Sequence, residues 1–249
     1  MRALVKEGET YSKTSRLSII VTDGTAILGL GNIGPKAGLP VMEGKSLLFR
    51  MLGDVEVVPL CMFPQEDGMV EFIANTVGNF MAVNLEDIKA PECFDIEAGL
   101  DAKKLLPVFH DDQHGTAIVT LAAFINALKL TDRKLEDMKI IINGAGAAGV
   151  TIAKLFLAYG AKHIIACDTK GVIYKGRAHG MNASKKELAE ITNLKNEVGN
   201  LEDVLQDADV FIGVSVGGAL KKEWIKKMNK PIIFAMANPI PEIFPDEAK

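Results

Sequence analysis

Short apolar runs alternate with amphipathic stretches along most of the chain, and the two periods, near two and near 3.6 residues, predict its elements. Leu17 to Val21 reads as a strand. From Leu39 to Met51 the spacing of Leu39, Met42, Leu47, Leu48 and Met51 predicts a helix with one buried face. The alternation continues with a strand at Val55 to Leu60, a helix at Met69 to Val77, a strand at Phe80 to Leu85, a helix at Pro91 to Leu100 and a strand at Pro107 to His110. That rhythm predicts a parallel sheet covered by helices. A helix from Gly115 to Leu130, small and apolar throughout, is expected to be buried between the two halves of the chain.

The second half opens on Lys139 to Asn143, an apolar run that breaks into Gly144-Ala145-Gly146-Ala147-Ala148-Gly149. The helix that follows, Ala147 to Tyr159, ends at Gly160. Strands are predicted at His163 to Cys167, Val210 to Val214 and Ile232 to Met236, with a helix at Lys221 to Met228 carrying Trp224 on its apolar side. Residues 170–200 are more polar and less regular. The fold class is therefore α/β, with two parallel-sheet domains at residues 1–114 and 115–249. The second is of the Rossmann dinucleotide-binding type, and it reads as incomplete, because the chain stops after the fourth strand of a fold that usually has about six.

The glycine pattern carries the clearest chemistry. Gly144 permits a tight turn, Gly146 lets backbone amides approach a pyrophosphate, and Gly149 lets helix and strand pack closely, while the helix N-terminus faces the phosphates. Asp168, 19 residues beyond Gly149, ends the next strand, where an acidic residue bonds a ribose hydroxyl. Its charge favours NAD over NADP, although Lys170 nearby weakens that preference. The late loops, beginning at Val214-Ser215 and at Asn238, also sit at strand ends where a cofactor is expected. A second glycine pattern, Gly29 to Gly34, runs into Pro35 and lacks an acid ending the following strand, so it reads as a loop rather than a dinucleotide site.

Two predicted strands end in acid pairs, Glu86-Asp87 and Asp111-Asp112. Such carboxylates in one crevice repel unless protonated or neutralised, and a hard divalent ion, Mg2+ or Mn2+, would resolve the conflict. Helix caps and turns explain the same residues equally well. Lys45, by pattern alone, is a solvated lysine on a helix.

Composition narrows the partners. With 28 basic and 32 acidic residues, net −4, the chain has no basic footprint for nucleic acid or anionic membrane. Cys61, Cys93 and Cys167 show no metal or redox spacing and suit buried thiols. Met1 to Tyr11 lacks the apolar core of a signal peptide and no run reaches membrane-spanning length, so a cytoplasmic setting and small-molecule partners are expected. A symmetric homodimer or higher homo-oligomer is the default assembly.

Several blocks together resemble the malic enzymes, in particular the short bacterial type. They are Val21-Thr22-Asp23-Gly24-Thr25, Leu28 to Pro35, Val41-Met42-Glu43-Gly44-Lys45, Asn84-Leu85-Glu86-Asp87, Val108 to Ala117, the Gly144 loop and Ala237-Asn238-Pro239. The resemblance implies a divalent metal held by Glu86, Asp87 and Asp112, with Lys45 as general base and Asp111 bonded near it. It implies conversion of malate to pyruvate and CO2 with reduction of NAD(P)+. For Lys45 to act as a base it must be neutral, and desolvation in a closed cleft is expected to lower its pKa. The family's N-terminal tyrosine segment has no match here, Tyr11 lying in a different setting. The part beyond the Asn-Pro turn is also unmatched, and Ala26 stands where large eukaryotic forms carry an arginine. The alternatives are a weak or inactive NAD- and metal-binding fragment, or malolactic decarboxylation to lactate.

Overall fold

The computed structural model describes residues 16–63 and 68–249, so Tyr11 lies outside the described residues. They divide into two compact units between Asp112 and Gln113. The first contains β1 (Leu17–Thr22), α1 (Gly34–Gly53), β2 (Glu56–Cys61), α2 (Met69–Thr76), β3 (Val83–Leu85), α3 (Glu92–Lys103) and β4 (Val108–His110). All strand pairs are parallel, in the order β2-β1-β3-β4. The central strand β1 is Ile-, Val- and Leu-rich because both its faces are covered: Ile19, Ile20 and Val21 are all buried. Strand β3 is shorter than the predicted run, since Phe80 to Ala82 are irregular and only Val83, Asn84 and Leu85 pair with β4.

Helix α1 differs from its expected pattern. Pro35 opens it, and its buried residues are Pro35, Gly38 and Met42. The large apolar residues that suggested a buried face, Leu39, Leu47, Leu48 and Met51, are exposed, at 39%, 58%, 51% and 68%. The inward face runs instead through Gly38, Met42 and Lys45, residues four and three apart that stack along one side of a helix. A lysine thus occupies the inner stripe.

A single π-helical turn, Asp111–Gly115, follows β4. The second unit continues with α4 (Thr116–Thr131), β5 (Lys139–Asn143), α5 (Ala147–Tyr159), β6 (His163–Asp168), β7 (Gly171–Val172), α6 (Ala183–Ile191), β8 (Val210–Gly213) and β9 (Ile232–Ala235). Its sheet order is β7-β6-β5-β8-β9, parallel except for the two-residue β7, which folds back on β6. The order reverses at β5, the first strand, with β6 on one side and β8 on the other. Crevices at such switch points bind ligands in doubly wound sheets.

Ile140, Ile141 and Ile142 of β5 are fully buried, and Phe124 of α4 packs against Phe156 of α5 with ring centroids 5.1 Å apart. Helix α4 itself is not buried all round, contrary to its uniform apolarity. Ala117, Thr120 and Phe124 face inward, whereas Ile118 and Val119 are exposed at 54% and 61%. Uniform composition hid which stripe packs. Of the cysteines, Cys93 and Cys167 are buried and Cys61 is half-buried, and burial pushes the thiols of Cys93 and Cys167 up to about 12.

Candidate active site and dinucleotide site

In the first unit the chemistry gathers at the carboxyl ends of β1, β3 and β4. Thr22 ends β1 and is followed by a turn in which the Thr25 backbone N–H and hydroxyl both donate to Asp23 Oδ1, at 3.0 and 2.6 Å. That turn is tied to the loop after β3: Ala26 N–H donates to the Asp87 carbonyl at 2.9 Å, and Lys89 N–H donates to the Thr25 hydroxyl at 3.0 Å. Asp87 is held there in a left-handed backbone conformation, φ +52°, which aspartate tolerates better than most side chains. Its own N–H donates to Asp112 Oδ2 at 2.9 Å, so the ends of β3 and β4 are stitched together.

Glu86, Asp87 and Asp112 each offer a carboxylate oxygen within 4.8 Å of the other two. Among the described residues this is the one such group of potential ligands. Asn84 Nδ2 orients Glu86 through Oε2 at 2.7 Å. Lys45 Nζ donates to Asp111 Oδ2 at 2.7 Å and to Glu86 Oε1 at 3.1 Å. The inner stripe of α1 therefore delivers its ammonium to the rim of the acid cluster.

The electrostatics are unresolved. Burial pushes the Glu86 carboxyl up to about 7 against the opposing pull of Lys45. Burial and the Glu86 charge raise Asp87 to about 6, and burial and the Asp87 charge raise Asp112 to about 6. Three acids this reluctant to ionise form a site that gains strongly from a hard cation with oxygen preference. The donor set, all oxygen, fits Mg2+ or Mn2+. Lys45 departs from expectation. Burial does oppose its charge, but the hydrogen bond to Asp111 and the Glu86 and Asp111 charges outweigh it, so its pKa is raised rather than lowered. The acids thus hold the proton on the lysine.

In the second unit the glycine loop follows β5. Gly144 has φ +123°, and a side chain there would strike the Val214 carbonyl; a Cβ on Gly149 would strike the Gly144 carbonyl. Both glycines are therefore required by packing. Gly146 differs: a Cβ there would meet nothing within 4 Å. It caps α5, placing Ala147 and Ala148 in the first turn, where no acidic side chain opposes an anion. Ala145 lies between Gly144 and Gly146.

Asp168 sits at the end of β6 as expected, but its carboxylate is already engaged. Arg177 Nη1 and Nη2 donate to it at 2.9 and 2.6 Å, Lys185 Nζ at 2.6 Å and Lys170 N–H at 2.8 Å. Burial alone would raise its pKa, yet these cations hold it well below the usual carboxylate range. The two partners offset its single negative charge, so the argument that Asp168 repels a ribose phosphate loses its electrostatic basis. Neither Arg177 nor Lys185 follows from sequence spacing: Arg177 reaches Asp168 from the loop after β7, and Lys185 from the first turn of α6, a helix inside a stretch whose sequence reads as irregular.

Val214 N–H donates to the Asn143 carbonyl at 2.9 Å, and Asn143 Nδ2 donates to Ser215 Oγ at 2.9 Å. Asn238 lies in the loop after β9. A further acid, Glu242, joins these loops and was missed. The one signal for it was an acid inside the apolar run Ile240 to Phe244.

Comparison with known proteins decides the family. The family model described as the malic enzyme NAD-binding domain matches residues 113–245, more than half of the chain, and the malic enzyme N-terminal domain matches residues 6–67. The chain belongs to the malic enzyme family. Within it, the chain is 54% identical to the bifunctional malic/malolactic enzyme of Bacillus subtilis, covering 96% of this chain and 59% of that one. It is 48% identical to the NAD-dependent malic enzyme of Geobacillus stearothermophilus, covering 97% and 51%. The solved NAD-dependent malic enzyme of Thermotoga maritima superposes with a TM-score of 0.94 at 47% identity, over 99% of this chain and 67% of that one. The NADP-dependent malic enzyme of Escherichia coli is 44% identical, with 96% and 32% covered. The chain thus spans between 31% and 59% of the length of the curated relatives it matches. Among the described residues no helix is long and apolar enough to cross a membrane.

Proposed function

We propose that this chain carries the metal, base and dinucleotide elements of an enzyme that oxidatively decarboxylates malate to pyruvate and CO2 while reducing NAD(P)+. The observation that carries the reading is the contact of Lys45 with Asp111 at the edge of the buried Glu86, Asp87 and Asp112 cluster. Those three acids would hold Mg2+ or Mn2+, which supplies Lewis-acid polarisation of substrate oxygens and stabilises charge during decarboxylation. Asp111 orients Lys45 through its 2.7 Å hydrogen bond. A cation held by Glu86 would compete with Lys45 for that carboxylate and so favour the neutral amine, with Asp111 as its orienting partner. The neutral amine then takes the proton of the malate hydroxyl as hydride leaves C2 for the nicotinamide. The C3–C4 bond breaks next, CO2 departs, and a proton is added at C3.

The dinucleotide occupies the Gly144–Gly149 loop, with Val214, Ser215 and Asn238 in the neighbouring strand-end loops. Because Arg177 and Lys185 neutralise Asp168, both NAD+ and NADP+ are accepted, their specificity constants lying within about tenfold of each other, a difference of about 1.4 kcal/mol. The likeness to a bifunctional malic/malolactic enzyme supports a second reading, release of lactate with no net NADH. A steady-state assay with malate, Mn2+ and each dinucleotide, with product analysis, tests both. Reduced cofactor with pyruvate supports the first, and lactate without reduced cofactor supports the second. No reduction of either dinucleotide and no lactate, from a chain carried out to the length of its relatives, overturns both.

A further inference from the structure

Glu242 is the one fully buried carboxylate among the described residues of the second unit, at 0% exposure, and the glycine loop and Asp168 give it no task. Its oxygens are divided between two loops. Oε1 accepts from the Ser215 N–H at 3.0 Å and the Ser215 hydroxyl at 3.3 Å, and Oε2 accepts from the Ala237 N–H at 3.0 Å. Ser215 Oγ in turn accepts from Asn143 Nδ2, at the last residue of β5 before Gly144. One side chain therefore connects the carboxyl ends of β5, β8 and β9. The backbone reinforces the link, with Gly218 N–H donating to the Pro241 carbonyl at 3.0 Å and Leu220 N–H to the Glu242 carbonyl at 3.1 Å. Room for the carboxylate comes from Gly213, where any Cβ would collide with it.

Three donors converge on this group, and only an acceptor-only carboxylate satisfies them all. A glutamine would turn an NH2 toward one backbone N–H, leaving a buried donor facing a donor. We propose that Glu242 is a positioning residue: it fixes the Ser215 and Ala237-Asn238 loops in the geometry that receives the nicotinamide half of the dinucleotide. The inference rests on the dinucleotide reading above. The adenosine and pyrophosphate half is received by the Gly144–Gly149 loop and the end of β6, whose own bonds, such as Gly144 N–H to the Cys167 carbonyl at 2.9 Å, do not involve Glu242.

The test compares binding of NAD+ and of ADP-ribose to the wild-type chain and to E242Q, S215A and the exposed control E223Q, by calorimetric titration with a melting curve for each. E242Q is expected to raise the Kd for NAD+ by at least about tenfold while leaving that for ADP-ribose within about threefold, a split that general damage to the fold does not produce. S215A, which removes only the hydroxyl, is expected to give the same split with a smaller loss, and it carries the test if E242Q does not fold. E223Q is expected to match wild type. Equal losses for the two ligands, or no loss for NAD+ in either loop variant, overturn the inference while the dinucleotide reading stands. A wild-type chain that binds neither ligand overturns both.

Discussion

The two units place acids at the carboxyl ends of parallel strands, yet treat them in opposite ways. In the first, Glu86, Asp87 and Asp112 crowd together with Lys45 at the rim, and each is pushed toward protonation at about 7, 6 and 6. In the second, Asp168 is held by Arg177 and Lys185, and Glu242 by backbone and hydroxyl donors, so every charge is met by the chain itself. The difference separates a site from its scaffold. Buried charge left poorly compensated is relieved by taking up a proton or a cation, whereas compensated charge fixes loops.

The largest expected effect lies on Lys45. Replacing it with alanine removes the proposed base and is expected to lower kcat for malate oxidation by about 10³-fold. Mn2+ affinity, measured by titration, is expected to hold or rise, because the acids lose an ammonium that competes for Glu86. A parallel loss of metal binding would show that Lys45 builds the cluster instead of using it. Next comes D112N, which removes the negative charge and leaves one carbonyl oxygen to serve either the cation or the Asp87 N–H. It is expected to weaken Mn2+ binding by about 100-fold and to diminish the rise in melting temperature expected when Mn2+ is added to the wild type. Unchanged Mn2+ binding would place the acids among caps and turns, as their sequence equally allowed.

In the second unit D168N makes the contrasting case. It leaves Arg177, only 5% exposed, beside a neutral group, and is expected to cost about 3 kcal/mol of unfolding free energy. The sign with pH follows from the depressed pKa. Asp168 binds its proton less readily folded than unfolded, so its contribution is complete above about pH 4 and is lost as pH falls below that value. The gap between wild type and D168N in urea unfolding is therefore widest near pH 7 and closes below about pH 4. A gap that widened on acidification would contradict the ion-pair account.

Much of this was legible in the chain. Apolar periodicity gave the order of strands and helices, and the acid pairs and the glycine loop lie at strand ends where a parallel sheet gathers ligands. What escaped had a common cause. Leu47, Leu48 and Met51 looked like a buried face because periodicity records which residues are apolar, not which side the sheet occupies. The state of Lys45, the capture of Asp168 by Arg177 and Lys185, and the joining of three loops by Glu242 all depend on side chains meeting at separations, from 9 to 66 residues, that match no helix or strand period. Local spacing carries no trace of such meetings. Glu242 is the clearest instance, since nothing near it in sequence announces Ser215.

The smallest effect distinguishes two glycines of one motif. G149A is expected to destabilise the second unit by about 1–3 kcal/mol, because the new methyl meets the Gly144 carbonyl across a backbone contact that cannot yield without moving β5 or α5. G146A has open space at the same step of the motif and a negative φ of −87°, which alanine adopts freely. Its melting temperature is expected to stay within about 1 °C of wild type. Dinucleotide affinity is nevertheless expected to fall, because the methyl enters the space a pyrophosphate would use in approaching the first turn of α5. Stability and binding should thus separate at Gly146 and move together at Gly149. If G146A bound the dinucleotide as tightly as wild type, the open space beside it would not be the phosphate approach, and the motif would reduce to strand-helix packing.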